Sequence, residues 1–153
     1  MTIVKRSAVV FYSPAEMFEL VDRVEDYPAF LPWCKASEIL SRTPDEVQAT
    51  LVLAKGGMEK SFTTCNRLQK DKMIEIRLVN GPFRHLEGFW RFTPVVEGGC
   101  EVVLDLEFEF SNKLYSMMFG SVFQQVAHTL VEAFCKRAEE MYGTPGSESA
   151  ITK

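Results

Sequence analysis

The chain is short of histidine, of closely spaced cysteines and of long apolar runs, and each shortage removes a class of function. Only two histidines occur in 153 residues, and the four cysteines, at positions 34, 65, 100 and 135, stand more than thirty residues apart without a C-x-x-C pair. That spacing gives no zinc site and no disulfide framework. The cysteines read as reduced thiols packed as small hydrophobes. No stretch approaches the roughly 20 apolar residues of a membrane-spanning helix. The N-terminus, MTIVKRSAVVFYS, carries charge in the middle of its apolar run and has no small-residue cleavage site, so it does not read as a signal peptide. Nor is there an excess of basic residues: 17 Lys and Arg stand against 21 Asp and Glu, for a net charge of −4. This balance argues against a broad electrostatic grip on nucleic acid and leaves room only for a local basic patch. Gly-rich phosphate loops, metal-spaced clusters and nucleophile elbows are missing too. The expectation is a cytoplasmic protein, peripheral to a membrane at most, with no DNA partner, no metal and no catalytic residue.

What is present suits one domain, since a chain of this size can bury about 68–70% of its extended surface in a single core. Ile3 to Tyr12 reads as a strand. Ser13, Pro14 and Glu16 form a capping box with proline at the first helical position, and Met17, Leu20, Val21 and Val24 supply the apolar stripe behind it. Turn signals then recur at Thr43-Pro44-Asp45, Gly56-Gly57, Gln69-Lys70-Asp71-Lys72, Asn80-Gly81-Pro82 and Glu97-Gly98-Gly99. Connections this short cannot hold a crossover helix, so the six strands they separate pair antiparallel, and the first strand makes seven.

In CEVVLDLEFEFS, Val102, Leu104, Leu106, Phe108 and Phe110 alternate with Glu101, Asp105, Glu107 and Glu109, so one sheet face is dry and the other wet. After Ser111 and Asn112 the period becomes helical, with Phe119, Phe123, Val126, Ala127, Leu130 and Phe134 on one stripe and Gly120 as a candidate break. Residues 1–142 form the domain, and the polar tail, 143–153, is expected to be disordered. The fold class expected is α+β: a curved antiparallel sheet of about seven strands wrapped around one long C-terminal helix.

Between such a sheet and its one covering helix lies the natural place for an apolar ligand. The candidate lining is Phe62, Trp90, Phe92, Phe108, Phe119, Phe123 and Leu130. Gly88, between the inward Leu86 and Trp90, either widens that space or marks a bulge. The segment YPAFLPWC, from Tyr27 to Cys34, is too rich in proline for a long helix or a regular strand. Its Phe30 and Trp33 are candidates for a lid over the cavity, for a cap on the core, or for a membrane contact. His85 is placed on the outer sheet face with no carboxylate in register, and His128 on the polar face of the last helix. Lys55, Lys60, Arg67, Lys70 and Lys72, with Arg84 and Arg91, could meet RNA phosphates if gathered on one edge.

Three segments, YPAFLPWC, NGPFRHLEGFWRF and FEFSNKLYSMMFGSVFQQVAHTLVEAFCKRAEEMY, together resemble the bacterial ribosome association toxin family. They are also similar to the mitochondrial coenzyme Q-binding proteins, which share the START-like, polyketide cyclase type of helix-grip fold. The resemblance runs from about Ile3 to Tyr142. It implies a hydrophobic cavity under the C-terminal helix, with ubiquinone or a precursor as bound ligand and no cofactor required. It also implies, for the bacterial members, binding to the large ribosomal subunit that blocks subunit joining.

Overall fold

The computed structural model describes residues 1–143; the expected tail lies outside them apart from Gly143. The order is β1 (Thr2–Val10), α1 (Pro14–Asp22), a 3-10 turn (Val24–Asp26), α2 (Tyr27–Phe30), β2 (Cys34–Arg42), β3 (Glu46–Lys55), β4 (Met58–Gln69), β5 (Met73–Asn80), β6 (Phe83–Pro94), β7 (Cys100–Phe110) and α3 (Lys113–Tyr142). All seven strands form one sheet in the order β1-β7-β6-β5-β4-β3-β2. Every pairing is antiparallel. The five turn signals fall at the five hairpin connections. β1 closes the other side by pairing with β7, Val4 opposite Leu106, far away in sequence.

α1 starts as its capping box dictates: Glu16 N donates to Ser13 Oγ at 3.1 Å while Ser13 N donates to Glu16 Oε1 at 2.9 Å. Its inner face packs on the sheet through the edge-to-face pair Phe18–Phe92, 5.8 Å between centroids. α2 is a single turn, held by Leu31 N to Tyr27 O at 2.9 Å, and Pro32 prevents its continuation. On β7 every inward residue from Cys100 to Phe110 is buried and every outward one is half-exposed, as alternation requires.

α3 is one unbroken helix of 30 residues, so Gly120 does not divide it. A glycine costs a helix interior only about 1 kcal/mol relative to alanine. Burying Phe119 and Phe123 on either side of Gly120 more than offsets that. The helix is capped at its start by Asn112, whose Oδ1 accepts from Tyr115 N at 2.9 Å, and ends at Gly143 with φ of 83°. It crosses the whole dry face. Near its middle His128 O accepts from Arg6 Nε at 3.0 Å, and at its end Tyr142 sits 6.1 Å from Tyr12 between ring centroids.

Gly88 has a different role from either of those expected. The β6–β7 register passes through Gly88↔Leu106 without a shift, so no bulge occurs there. A β-carbon at this position would lie 2.1 Å from Asp105 O and 2.8 Å from Leu106 Cα. The missing side chain lets β7 approach β6 more closely than any other residue permits, rather than enlarging the space under α3.

Candidate functional site

The inward faces of β4, β5, β6 and β7, the end of α1, α2 and the middle of α3 enclose a cavity of about 80 Å³. Five of the nine residues proposed from sequence border it: Trp33, Phe62, Trp90, Phe123 and Leu130. The other four are placed elsewhere in the core. Phe30 packs edge-to-face on Tyr27 and Phe134, with the Arg137 guanidinium 4.9 Å from its ring centre. Phe92 is buried between Phe18 and Trp90. Phe108 packs against Phe83, Phe110 and Phe123. Phe119 is 1% exposed in the core and absent from the wall. Period-2 alternation found the correct sheet face for Phe92 and Phe108, but it could not say which part of a face stays close-packed and which part opens.

Two polar wall residues escaped the sequence reading. Thr64 and Asn66 follow Phe62 at every second position of β4, so the same alternation would have found them had polar residues been included. Thr64 Oγ1 donates to Asn66 Oδ1 at 3.1 Å, which leaves the Asn66 amide nitrogen as the remaining donor of the pair. Tyr27 is the third polar contributor. Its hydroxyl donates to Val21 O, and burial, followed by the charge of Asp22, pushes its pKa far above the ordinary phenol value. The lining holds no carboxylate and no imidazole. Such a wall can hold an apolar body and offer one or two hydrogen bonds, but it has little with which to move a proton near neutral pH.

Trp33 is half-buried and belongs to two spaces at once. On its inner side is the cavity; on its outer side is an open hollow of about 340 Å³ lined by Pro32, Ala54, Val122, Gln125, Val126 and Thr129. Ala54 N donates to Trp33 O at 2.9 Å, which pins the backbone of this residue to β3, and its side chain lines both spaces. The rest of YPAFLPWC anchors it, with Leu31 only 2% exposed and Tyr27 only 8%. The segment is irregular because its residues must turn from α1 onto the end of β2 while filling the end of the core.

Outside the cavity, two expectations change. His85 is not without carboxylates: its Nε2 lies 3.6 Å from Glu87, two residues along the same face of β6, and 3.2 Å from Glu107, which the β6–β7 register sets opposite Glu87. The basic residues do not gather on one edge. The β3–β4 turn with Lys55 and Lys60 and the β4–β5 turn with Lys70 and Lys72 lie at opposite ends of β4, whose 12 residues span about 40 Å. Arg84 is engaged by Glu109 at 2.9 Å. A wide groove of about 960 Å³ runs between β1 and α3, but charged residues such as Lys5, Arg6, Glu132, Lys136 and Glu139 line it and it is open to solvent. The four thiols, in contrast, fit their expected place: burial is the first cause of a raised pKa at each, to about 11 for Cys34 and Cys100.

A seven-stranded antiparallel sheet gripping one long C-terminal helix over an apolar cavity defines a START-like, helix-grip protein. The solved START superfamily protein from Mycobacterium smegmatis superposes with a TM-score of 0.75 at 22% identity, over 91% of this chain and 98% of that one. The Zhui aromatase/cyclase from a Streptomyces species superposes with a TM-score of 0.74 at 19% identity, over 90% and 93%. Residues 10–135 match the family described as polyketide cyclase/dehydrase and lipid transport, and the chain belongs to it. Within that family it is 44% identical over 139 residues to the ribosome association toxin RatA of Escherichia coli (strain K12), covering 91% of this chain and 88% of that protein. It is 30% identical over 143 residues to the mitochondrial coenzyme Q-binding protein COQ10 homolog B of Xenopus laevis, covering 90% of this chain and 58% of that protein. No helix among the described residues is long and apolar enough to cross a membrane.

Proposed function

We propose that the chain binds a lipophilic molecule with a carbonyl-bearing head, of the ubiquinone class, between α3 and the sheet, and that it acts as a binding protein rather than a catalyst. The observation that carries this reading is the cavity wall itself: apolar throughout except for Tyr27 and the Thr64–Asn66 pair, whose amide nitrogen can donate to a quinone carbonyl. The enclosed space of about 80 Å³ is smaller than the roughly 300–1,000 Å³ of small-molecule sites. Rotation of the Trp33 indole joins it to the outer hollow of about 340 Å³ and brings the combined space into that range. Trp33 is then the gate through which an isoprenoid tail leaves the protein. The 30% identity to a protein named as coenzyme Q-binding supports the ligand class.

The test is organic extraction of the protein purified from its own host, followed by mass spectrometry, with Asn66→Leu and Trp33→Ala variants alongside. Near-stoichiometric quinone in the wild type, reduced in Asn66→Leu and exchanging faster in Trp33→Ala, is the expected result. A wild-type protein that carries no lipophilic molecule and takes up none from quinone-loaded detergent micelles overturns the reading.

A second reading, association with the large ribosomal subunit so that subunit joining is blocked, is favoured by the 44% identity to proteins named ribosome association toxins. Phosphate contacts release counterions, so this reading requires sedimentation with ribosomal particles that weakens steeply as salt rises. A protein that stays out of the ribosomal fractions at low salt excludes it.

A further inference from the structure

The first two turns of α3 and the β3–β4 turn form a surface that neither the cavity nor the fold uses. Leu114 and Met117 are 62% and 82% exposed, and Met58, on the β3–β4 turn, is 39% exposed. Leu114, Met117 and Ser121 follow the i, i+3, i+7 spacing of one helix face, so the two apolar side chains share a side with the serine. The β3–β4 turn is clamped to this part of the helix by two contacts: Lys55 Nζ donates to Ser121 Oγ at 3.2 Å, and Lys60 Nζ lies 4.9 Å from the centre of the Tyr115 ring. Lys113 opens the helix on the same end. The one carboxylate of the turn, Glu59, is engaged by Lys35. A protein of net charge −4 thus presents, on this turn and helix start, exposed apolar side chains together with Lys55, Lys60 and Lys113.

We infer that this end of the molecule docks on an anionic lipid bilayer, with Leu114, Met117 and Met58 entering the headgroup boundary and the three lysines meeting the lipid charge. Apolar residues projecting from a cationic rim are what interfacial binding requires, because burial in the acyl boundary and attraction to anionic headgroups act together. Phosphates of RNA would reward the lysines but not the exposed Leu114 and Met117, which is why a bilayer fits this surface better. Its position adds a purpose, which rests on the ligand reading above. Ala54 and Val122, immediately next to Lys55 and Ser121 in the chain, line the hollow outside Trp33. Docking there sets the gate against the lipid phase, so a lipophilic molecule passes between bilayer and cavity without crossing water.

The experiment is flotation of the full chain with vesicles of phosphatidylcholine alone and of phosphatidylcholine with an equal part of phosphatidylglycerol, none containing quinone. Docking is thereby measured independently of the cavity. The wild type is expected to float with the anionic vesicles and not with the neutral ones. A Leu114→Ser/Met117→Ser variant is expected to bind at least about tenfold more weakly. A Lys55→Gln/Lys60→Gln/Lys113→Gln variant is expected to bind about a hundredfold more weakly. Leu114 and Met117 are exposed, so the serine variant should keep the wild-type circular dichroism and melting temperature, whereas the lysine variant also loses the Lys55–Ser121 and Lys60–Tyr115 contacts and should keep the wild-type circular dichroism while melting a few degrees lower. Absence of wild-type flotation, or serine variants that float as well as wild type, overturns the inference. Loss of ribosome sedimentation in the lysine variant with vesicle binding unchanged assigns the patch to RNA and overturns it equally. A variant that no longer floats but still carries extracted ligand supports the docking surface and shows that it acts separately from the ligand site.

Discussion

Replacing Gly88 by alanine adds one methyl group and tests how the sheet is built. The new carbon would stand 2.1 Å from Asp105 O and 2.8 Å from Leu106 Cα, both backbone atoms of β7, and neither can rotate away. Relief requires β6 and β7 to separate by about 1 Å near the middle of their pairing, where Gly88 faces Leu106. Overpacking of a close-packed site costs about 1–3 kcal/mol. Weakening one or two ladder hydrogen bonds adds about 1 kcal/mol each. A loss near 3 kcal/mol corresponds to a melting temperature lowered by roughly 6–12 °C for a domain of this size. Thermal unfolding followed by circular dichroism, with a urea titration to check that the m-value is unchanged, measures it. A variant that melts within about 2 °C of wild type would refute the close-approach argument. If that stable variant also held less ligand, Gly88 would instead be a cavity-widening residue.

Two further outcomes follow from the packing. Phe134 is fully buried with its ring edge-to-face against Tyr27, Phe30 and Trp90, so Phe134→Ala should cost about 3–5 kcal/mol, read as a shifted urea midpoint; a loss under about 1 kcal/mol would mean that the end of the core is loosely packed. Burial holds the Cys34 and Cys100 thiols protonated up to about 11 against an ordinary 9.0, whereas the unfolded chain releases those protons earlier. The folded state therefore binds more protons in that window, and stability should be level at neutral pH and fall as pH rises from about 9 towards 11. Tyr27, whose pKa is raised by burial, adds to the fall from about pH 10 upward. A urea midpoint unchanged between neutral pH and about pH 10.5 would contradict the buried-thiol assignment.

Local interactions were readable in the sequence wherever one short segment decides the outcome. The Ser13–Glu16 capping box, the five turn signals, the alternation of β7 and the apolar stripe of α3 each involve residues within a few positions of one another, and each formed as expected. Short connections also forced the antiparallel meander, since no crossover fits them. Phe62, Trp90, Phe123 and Leu130 face one another because the inward stripe of the sheet and the covering stripe of α3 are both set by local periodicity.

Tertiary structure decided what depends on distance across the fold. The β6–β7 register, which sets Glu107 opposite Glu87, brings the Glu107 carboxylate to His85, a placement that no single strand encodes. β4 is long enough to hold its two basic turns at opposite ends, so charges close in sequence become distant in space. The closeness of β6 and β7 at Gly88 shows only once the strands are paired, with Gly88 opposite Leu106 and backbone atoms of β7 standing where a β-carbon would lie. Which aromatic side chains pack solidly, as Phe92, Phe108 and Phe119 do, and which border an opening, as Trp33 does, is set by how the curved sheet meets α3. Periodicity tells a side chain which way to face; only the assembled sheet and helix settle what it finds there.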